Sequence, residues 1–260
     1  LSLKAGMNDT SNMPELSSAG RRMSIPGLDA WLDSAQGRYV TAWEQERVDA
    51  EVADIFGFNA LQVGFPQRDY LRANRIPLRQ KAGEGDPVDA RCDHAALPFA
   101  AHSIDLVVLP HVLEFHDDPH QILREVERIL IPEGHLLITG FNPLSPFGLA
   151  RRLGGKTTFP WNGTYLSAPR LRDWLALLGF EADRGCYGCF APPCRQQKWL
   201  DRWRFIEGSG SRWWSYAGSV YLLHAIKRTQ GMRLITPKWR TSPAGAKALR
   251  PIAQKEGHEH

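Results

Sequence analysis

Apolar residues recur along this chain in two rhythms, one at helical spacing and one in short near-continuous runs, and the two alternate from about residue 29 to residue 228. The clearest run is Ser103-Ile104-Asp105-Leu106-Val107-Val108-Leu109, which predicts a strand covered on both faces in a parallel sheet. A helix then opens at Asp118-Pro119-His120-Gln121, with Asp118 as cap, Pro119 in the first turn and Gln121 placed to bond back. Its apolar stripe is Ile122, Leu123, Val126, Ile129 and Leu130. Pro132 and Gly134 are expected to stop it, and His135-Leu136-Leu137-Ile138-Thr139 reads as the next buried strand.

Upstream, Thr41-Ala42-Trp43-Glu44 has capping-box spacing, so a helix is expected to start there and close at Gly57, with Trp43, Val48, Val52, Ile55 and Phe56 as its apolar face. A strand follows at Ala60-Leu61-Gln62-Val63, ending at Gly64, and then a brief helical stretch from Arg68 to Arg75. Pro77 to Lys81 and Val88 to Cys92 read as polar-interrupted strands with only Ala82 to Pro87 between them. Downstream, Ser167 and Pro169 start a helix carrying Leu171, Trp174, Leu175 and Leu178, which Gly179 ends. Phe180 to Phe190 reads as a strand, Trp199 to Ile206 as an amphipathic helix and Gly218 to Ile226 as a last strand. Strand and helix in alternation predict an α/β fold with a parallel-rich sheet between helices.

Length and composition narrow this picture. The 260 residues, 43% hydrophobic and 23% charged, allow one full α/β core with tails and leave no room for two independent domains. Residues 1–28 and the stretch from about 236 onward lack periodicity and read as loose ends, which gives a domain over 29–228 and a tail over 229–260. The net charge of +4 is uneven: Gly208 to Lys255 holds nine Lys or Arg and no acid, so the C-terminal end is expected either to be a solvated tail or to attract an acidic partner such as RNA or a membrane surface. No apolar run is long enough to span a membrane and no signal peptide is evident, so a cytoplasmic location is expected. Cys92, Cys186, Cys189 and Cys194 are too few and too clustered for a disulfide framework and read as free thiols. The C-x2-C-x4-C spacing of the last three offers soft metal ligands without a second pair, so packing is the simpler reading and no metal is expected.

Asp93-His94-Ala95-Ala96-Leu97-Pro98-Phe99, Ser103 to Val108, His111-Val112-Leu113-Glu114 and Leu130-Ile131-Pro132-Glu133-Gly134 stand in an order and spacing that resembles small-molecule-type class I methyltransferases, across about residues 40–228. The resemblance implies a Rossmann-like fold: a mostly parallel seven-stranded sheet with an antiparallel last strand, helices on both faces and S-adenosylmethionine lying across the carboxyl ends of the strands. It places Asp93 on the adenine amino group, His94 and Leu97 beside the adenine, and His111 and Val112 on the pocket wall. The family's second acid, which takes the ribose hydroxyls, falls on Glu84.

At the first strand the chain departs from the family's D-x-G-x-G-x-G. Gln62-Val63-Gly64-Phe65-Pro66-Gln67-Arg68 keeps only Gly64, Pro66 has no N–H to offer, and Gln62 stands where the family has a carboxylate. Gln62 and Gly64 remain the expected contacts of the methionine end. His111, with Glu114 and His116 nearby, is the candidate general base, although methyl transfer from a sulfonium is mainly a matter of alignment. The segment Gly140 to Gly148, continuing to Trp161, lies where the family builds a substrate lid and reads equally as a packed loop. Trp199, Trp203, Trp213 and Trp214, flanked by arginines, suit either stacking on an aromatic ligand or packing. Three functions follow: a methyltransferase with a small-molecule acceptor, a catalytically inactive interaction or scaffold protein, and an RNA methyltransferase using the basic tail.

Overall fold

The computed structural model describes residues 27–153, 160–192 and 217–228. Seven strands, β1 (Asn59–Val63), β2 (Leu78–Gly83), β3 (Ala90–Arg91), β4 (Ile104–Pro110), β5 (Leu130–Phe141), β6 (Phe180–Gly188) and β7 (Val220–Lys227), form one sheet in the order β3-β2-β1-β4-β5-β7-β6. β1 to β5 pair in parallel, and β7 lies antiparallel between β5 and β6. The expected fold, including the antiparallel last strand, is therefore the observed one. The strand order reverses between β1 and β4, which leaves a crevice at their carboxyl ends.

Helices cover both faces. On one, α3 (Pro119–Ile129) and α5 (Ala168–Leu177) bury Ile122, Leu123, Val126, Leu171 and Leu175 against Leu61, Val107 and Leu136. On the other, α1 (Leu28–Leu32), α2 (Ala35–Val52) and α4 (Pro146–Leu153) bring Trp31, Val48, Val52 and Phe147 onto Leu106, Val108 and Leu137. Leu106 and Val107 thus face opposite helical layers, which is why β4 is apolar at successive positions.

Several local expectations change. The first helix starts at Ala35, capped by Ser34, whose Oγ accepts from the Gly37 N–H at 3.0 Å. Thr41 sits in its second turn with its hydroxyl bonded back to Gly37 O at 2.8 Å, and Glu44 points inward, so the Thr41/Glu44 pair is no capping box. Phe56, expected on the apolar face, is exposed, and Leu28, expected in a loose end, opens α1. Arg68 to Arg75 forms turns in place of a helix. Asp69 Oδ1 accepts from Leu71 N, Asn74 Oδ1 from Ile76 N, and Gln62 donates to Arg68 O, so side chains capture the backbone groups that a helix would use.

The α3 helix keeps its Asp118 cap, bonded to Gln121 N at 3.0 Å, but Gln121 accepts from Arg124 and does not bond back. It ends at Ile129, before Pro132. The buried Lys227 of β7, the strand beside β5, donates to Glu127 O at 2.5 Å and Leu130 O at 3.0 Å, so a side chain distant in sequence satisfies carbonyls at the helix end. The segment after β5, read as lid or loop, contains α4. The helix expected at Trp199 to Ile206, Cys194, the four arginine-flanked tryptophans and the basic tail lie outside the described residues.

Candidate active site

The crevice at the carboxyl ends of β1, β2 and β4 holds a cavity of about 200 Å³. Three stretches build its walls. The turn after β1 supplies Gly64, Phe65 and Pro66, the turn after β2 supplies Glu84, and the residues just after β4 supply His111 and Val112, while Leu28 of α1 and Phe115 also line it.

The β1 turn is a folded backbone held by one side chain. Gln62, fully buried, donates its amide N–H groups to Gly64 O at 3.2 Å, Phe65 O at 3.0 Å and Arg68 O at 3.0 Å, and its Oε1 accepts from Tyr70 N at 2.9 Å. A carboxylate cannot donate to carbonyls, which gives the glutamine a reason to stand there. Gly64 adopts φ +78°, and a Cβ on it would lie 2.5 Å from Val112 Cγ2, so the β1 and β4 walls approach closely only because that side chain is absent. Gly83, at φ +151°, makes a similar approach to His94, whose Nε2 would be 3.0 Å from an added Cβ.

His94 lines the cavity, and its Nε2 is buried without a partner. Burial and the neighbouring His116 push its pKa down to about 4, against the pull of Asp93, so it is a neutral imidazole at pH 7. Glu84 follows β2 directly and is half-buried; burial, then the negative charge of Asp93, raises its pKa.

The β4 wall rests on buried charge. His111, at φ +52° and 1% exposed, lies between two carboxylates: Nε2 is 2.5 Å from Glu44 Oε1 of α2, and Nδ1 is 2.7 Å from Glu114 Oε2. Burial disfavours the imidazolium, but Glu44 and Glu114 outweigh it and push the His111 pKa up to about 10. The remaining oxygens are used too: Glu44 Oε2 accepts from Tyr70 Oη at 2.9 Å and Glu114 Oε1 from the Phe141 N–H. One network thus joins α2, the turn after β1, β4 and β5. His111 is expected as a general base, yet neither ring nitrogen is free.

Of the predicted site residues, Gly64, Glu84, His94, His111 and Val112 meet at this cavity. Gln62 lies beneath it with its amide committed to the loop. Leu97 packs in the core between β4 and α3, where its N–H meets Glu125. Asp93 lies beside the cavity, its side chain 57% exposed and its Oδ1 accepting from Ala95 N at 2.8 Å, a bond that together with His116 lowers its pKa despite some burial. Sequence reasoning missed Leu28, which lacks a periodic neighbourhood, and Glu44, whose spacing from Thr41 imitates a cap. The signal for Glu44 was a carboxylate among Val40, Val48 and Val52 on the buried face. Among the described residues no group of three His, Cys, Asp or Glu side chains could hold a metal ion.

The chain is similar to known proteins. The family description "Methyltransferase domain" matches residues 71–138. The uncharacterized protein YafS of Escherichia coli is 32% identical over 162 residues, covering 61% of this chain and 67% of that protein. The demethylmenaquinone methyltransferase of Chlamydia pneumoniae is 26% identical, over 64% of this chain and 66% of its own length, while mycobacterial relatives are longer and the chain spans 47% of them. Among solved structures, an S-adenosylmethionine-dependent methyltransferase of Thermotoga maritima, described as a possible histamine N-methyltransferase, superposes with a TM-score of 0.58 at 17% identity over 77% of this chain and 94% of its own. With this sheet order, a crevice at the switch point and these relatives, the chain belongs to the class I S-adenosylmethionine-dependent methyltransferases.

Proposed function

We propose that the chain transfers a methyl group from S-adenosylmethionine to a small-molecule acceptor by in-line displacement, with the nucleoside of the cofactor in the β1/β2/β4 cavity. The observation that carries this reading is the position of Glu84, an acid directly after β2 that faces a cavity lined by Gly64 and Gly85. Its carboxylate suits two hydroxyls of a ribose, and the neutral His94 brings an unpartnered nitrogen to the same space. Phe65, Val112 and Phe115 supply apolar and aromatic surface for a flat ring. These residues fit the nucleoside half. Towards the methionine end Gly64 remains, Pro66 offers no N–H, and Gln62 acts by shaping the loop.

Bound S-adenosylmethionine supplies an electrophilic methyl group on a sulfonium, so the protein's task is to align an acceptor with it and to exclude water. His111 keeps its proton between Glu44 and Glu114; its role is to fix the β4 wall, and an acceptor's proton leaves by another route. A small-molecule acceptor is supported by the Chlamydia relative, named for demethylmenaquinone.

Calorimetric titration with S-adenosylhomocysteine tests the reading. The wild-type protein is expected to bind, and Glu84→Gln to weaken binding about ten- to hundredfold, the size of a hydrogen bond to a charged group. Asp93→Ala, outside the cavity lining, is expected to act less. No heat from the folded protein at millimolar ligand would remove the proposed activity and leave the scaffold reading, and equal affinity of Glu84→Gln would reject the placement of the ribose.

A further inference from the structure

We propose that the imidazole of His94 gates the cofactor crevice: seated between the ends of β1 and β2 it takes up ribose space, and it turns out when a nucleoside enters. The inference rests on the nucleoside reading of the cavity and names the side chain that yields to it. Two glycines create the notch. A Cβ on Gly83 would lie 3.0 Å from His94 Nε2 and 3.5 Å from Gly64 N, and a Cβ on Gly64 would lie 3.6 Å from the same Nε2. The tip of the ring therefore fills the gap that two absent side chains leave, beside the backbone that leads into Glu84. A ribose that meets the Glu84 carboxylate across Gly64 needs that gap, so ring and ribose compete for it.

The seated ring is weakly anchored. Nε2 is sealed from solvent and has no hydrogen-bond partner among the described residues. A buried polar atom without a bond leaves its desolvation uncompensated, so packing is what holds the tip of the ring. Its aromatic neighbour is His116, edge to face with 6.4 Å between centroids. The backbone beneath is firm by contrast: Asp93 Oδ1 accepts from Ala95 N at 2.8 Å and Asp93 O from Ala96 N at 3.1 Å. Rotation about the side-chain bonds, with the turn left in place, clears the notch.

Outside the notch the ring meets water and acids. Asp93, its side chain 57% exposed, stands in the same turn, Glu84 and Asp86 in the turn after β2, and His116 after β4; Arg91 pairs with Asp86 at 2.7 Å. Seated, burial and then His116 hold the His94 pKa at about 4 against the pull of Asp93. Displaced, the ring is hydrated beside Asp93 and Glu84 and returns to ordinary basicity, about 6.5. Nucleoside entry is therefore coupled to proton uptake by His94 between about pH 4 and 6.5. Glu84, whose pKa burial raises, acts in the opposite sense, because a ligand that favours its carboxylate form releases a proton. A His94 variant separates the two contributions.

Calorimetric titration of the full chain with S-adenosylhomocysteine tests the gate. At neutral pH His94→Ala, which empties the notch, is expected to bind severalfold more tightly than the wild type. His94→Phe keeps a plug that gains nothing from hydration or from the acids outside, and is expected to bind about tenfold more weakly. Near pH 6, titrations in buffers of different ionisation enthalpy should show the wild type taking up about three-quarters of a proton more than His94→Ala. Binding by His94→Ala no tighter than wild type, with no difference in proton uptake, would make the ring a fixed wall or a ligand contact and overturn the gate; His94→Phe binding as tightly as wild type would do the same. Should His94→Phe fail to fold, the alanine variant and the proton count decide. In each of these outcomes the wild type binds. Binding by neither the wild type nor folded His94→Ala would instead remove the nucleoside reading, and the gate with it.

Discussion

The two walls of the cavity are built by opposite means. On the β1/β2 side the shape is set by backbone: Gly64 and Gly83 lack side chains where chains approach, and one neutral amide, Gln62, ties the loop by hydrogen bonds. On the β4 side it is set by buried charge, with His111 in a left-handed conformation that Glu44 and Glu114 hold from both flanks. The first wall tolerates small polar adjustments, because each of its bonds is individually modest. The second is more sensitive to a single loss, because removing His111 would leave two carboxylates facing each other in the core and removing either Glu would leave a charged donor short of an acceptor.

Glu44→Ala is the sharpest way to break this contrast. It leaves His111 Nε2 and the Tyr70 hydroxyl buried without acceptors while Glu114 still pairs with the imidazolium, and a loss of about 3–5 kcal/mol is expected in denaturant unfolding, with Glu44→Gln recovering part of it. Gln62→Leu, close in size, leaves the Tyr70 N–H and three loop carbonyls without their partner, and about 1–3 kcal/mol is expected by the same measurement. A loss as large as that of Glu44→Ala would show that the two walls do not differ in kind. Gly64→Ala places a Cβ against Val112 and a side chain at φ +78°, for about 1–2 kcal/mol from the backbone alone. Adding Val112→Ala should relieve the contact and leave only the backbone part, a non-additivity that a double-mutant cycle reads directly.

The two walls also carry histidines of opposite titration. His94 has its folded pKa depressed to about 4 against an ordinary 6.5, so the unfolded chain takes up the proton first and stability falls as pH drops from about 6.5 to 4, by at most about 1.4 kcal/mol per pH unit. His111, raised to about 10, contributes stability that is complete below about 6.5 and is lost as pH climbs through 10. Thermal melts across pH 4 to 10 should show His94→Gln flattening only the acidic limb; a flattened alkaline limb in that variant would contradict the assignment.

Much of the framework was legible because it rests on local rules. The run from Ser103 to Leu109 announced a central strand, Asp118-Pro119 announced α3, and Gly179 its counterpart after α5, since caps and periodicities involve residues within a few positions of one another. The site was legible in part: Gly64, Glu84, His94, His111 and Val112 do converge on the cavity, whereas Leu97 packs into the core and Gln62 lies under the loop. Local rules failed wherever a side chain reached across the fold. The α3 helix looked as if Pro132 stopped it, yet it ends at Ile129, and Lys227, 97 residues beyond Leu130, takes up carbonyls at that end. Thr41 and Glu44 looked like a cap because three-residue spacing is all that a cap requires, and burial of both is invisible along the chain.

The alternation of apolar runs and stripes, by itself, determined a parallel-rich sheet between helical layers, while a site at the carboxyl ends of its strands followed from the resemblance to the methyltransferases. Only the tertiary structure decided the chemistry of that site. A histidine with its neighbours in sequence is a titratable group near neutrality; set between a carboxylate 67 residues away and one three residues on, and sealed from water, it becomes a fixed cation. The reason is dielectric: attraction that water would screen to little becomes decisive once burial removes the water, and burial is a property of the folded whole.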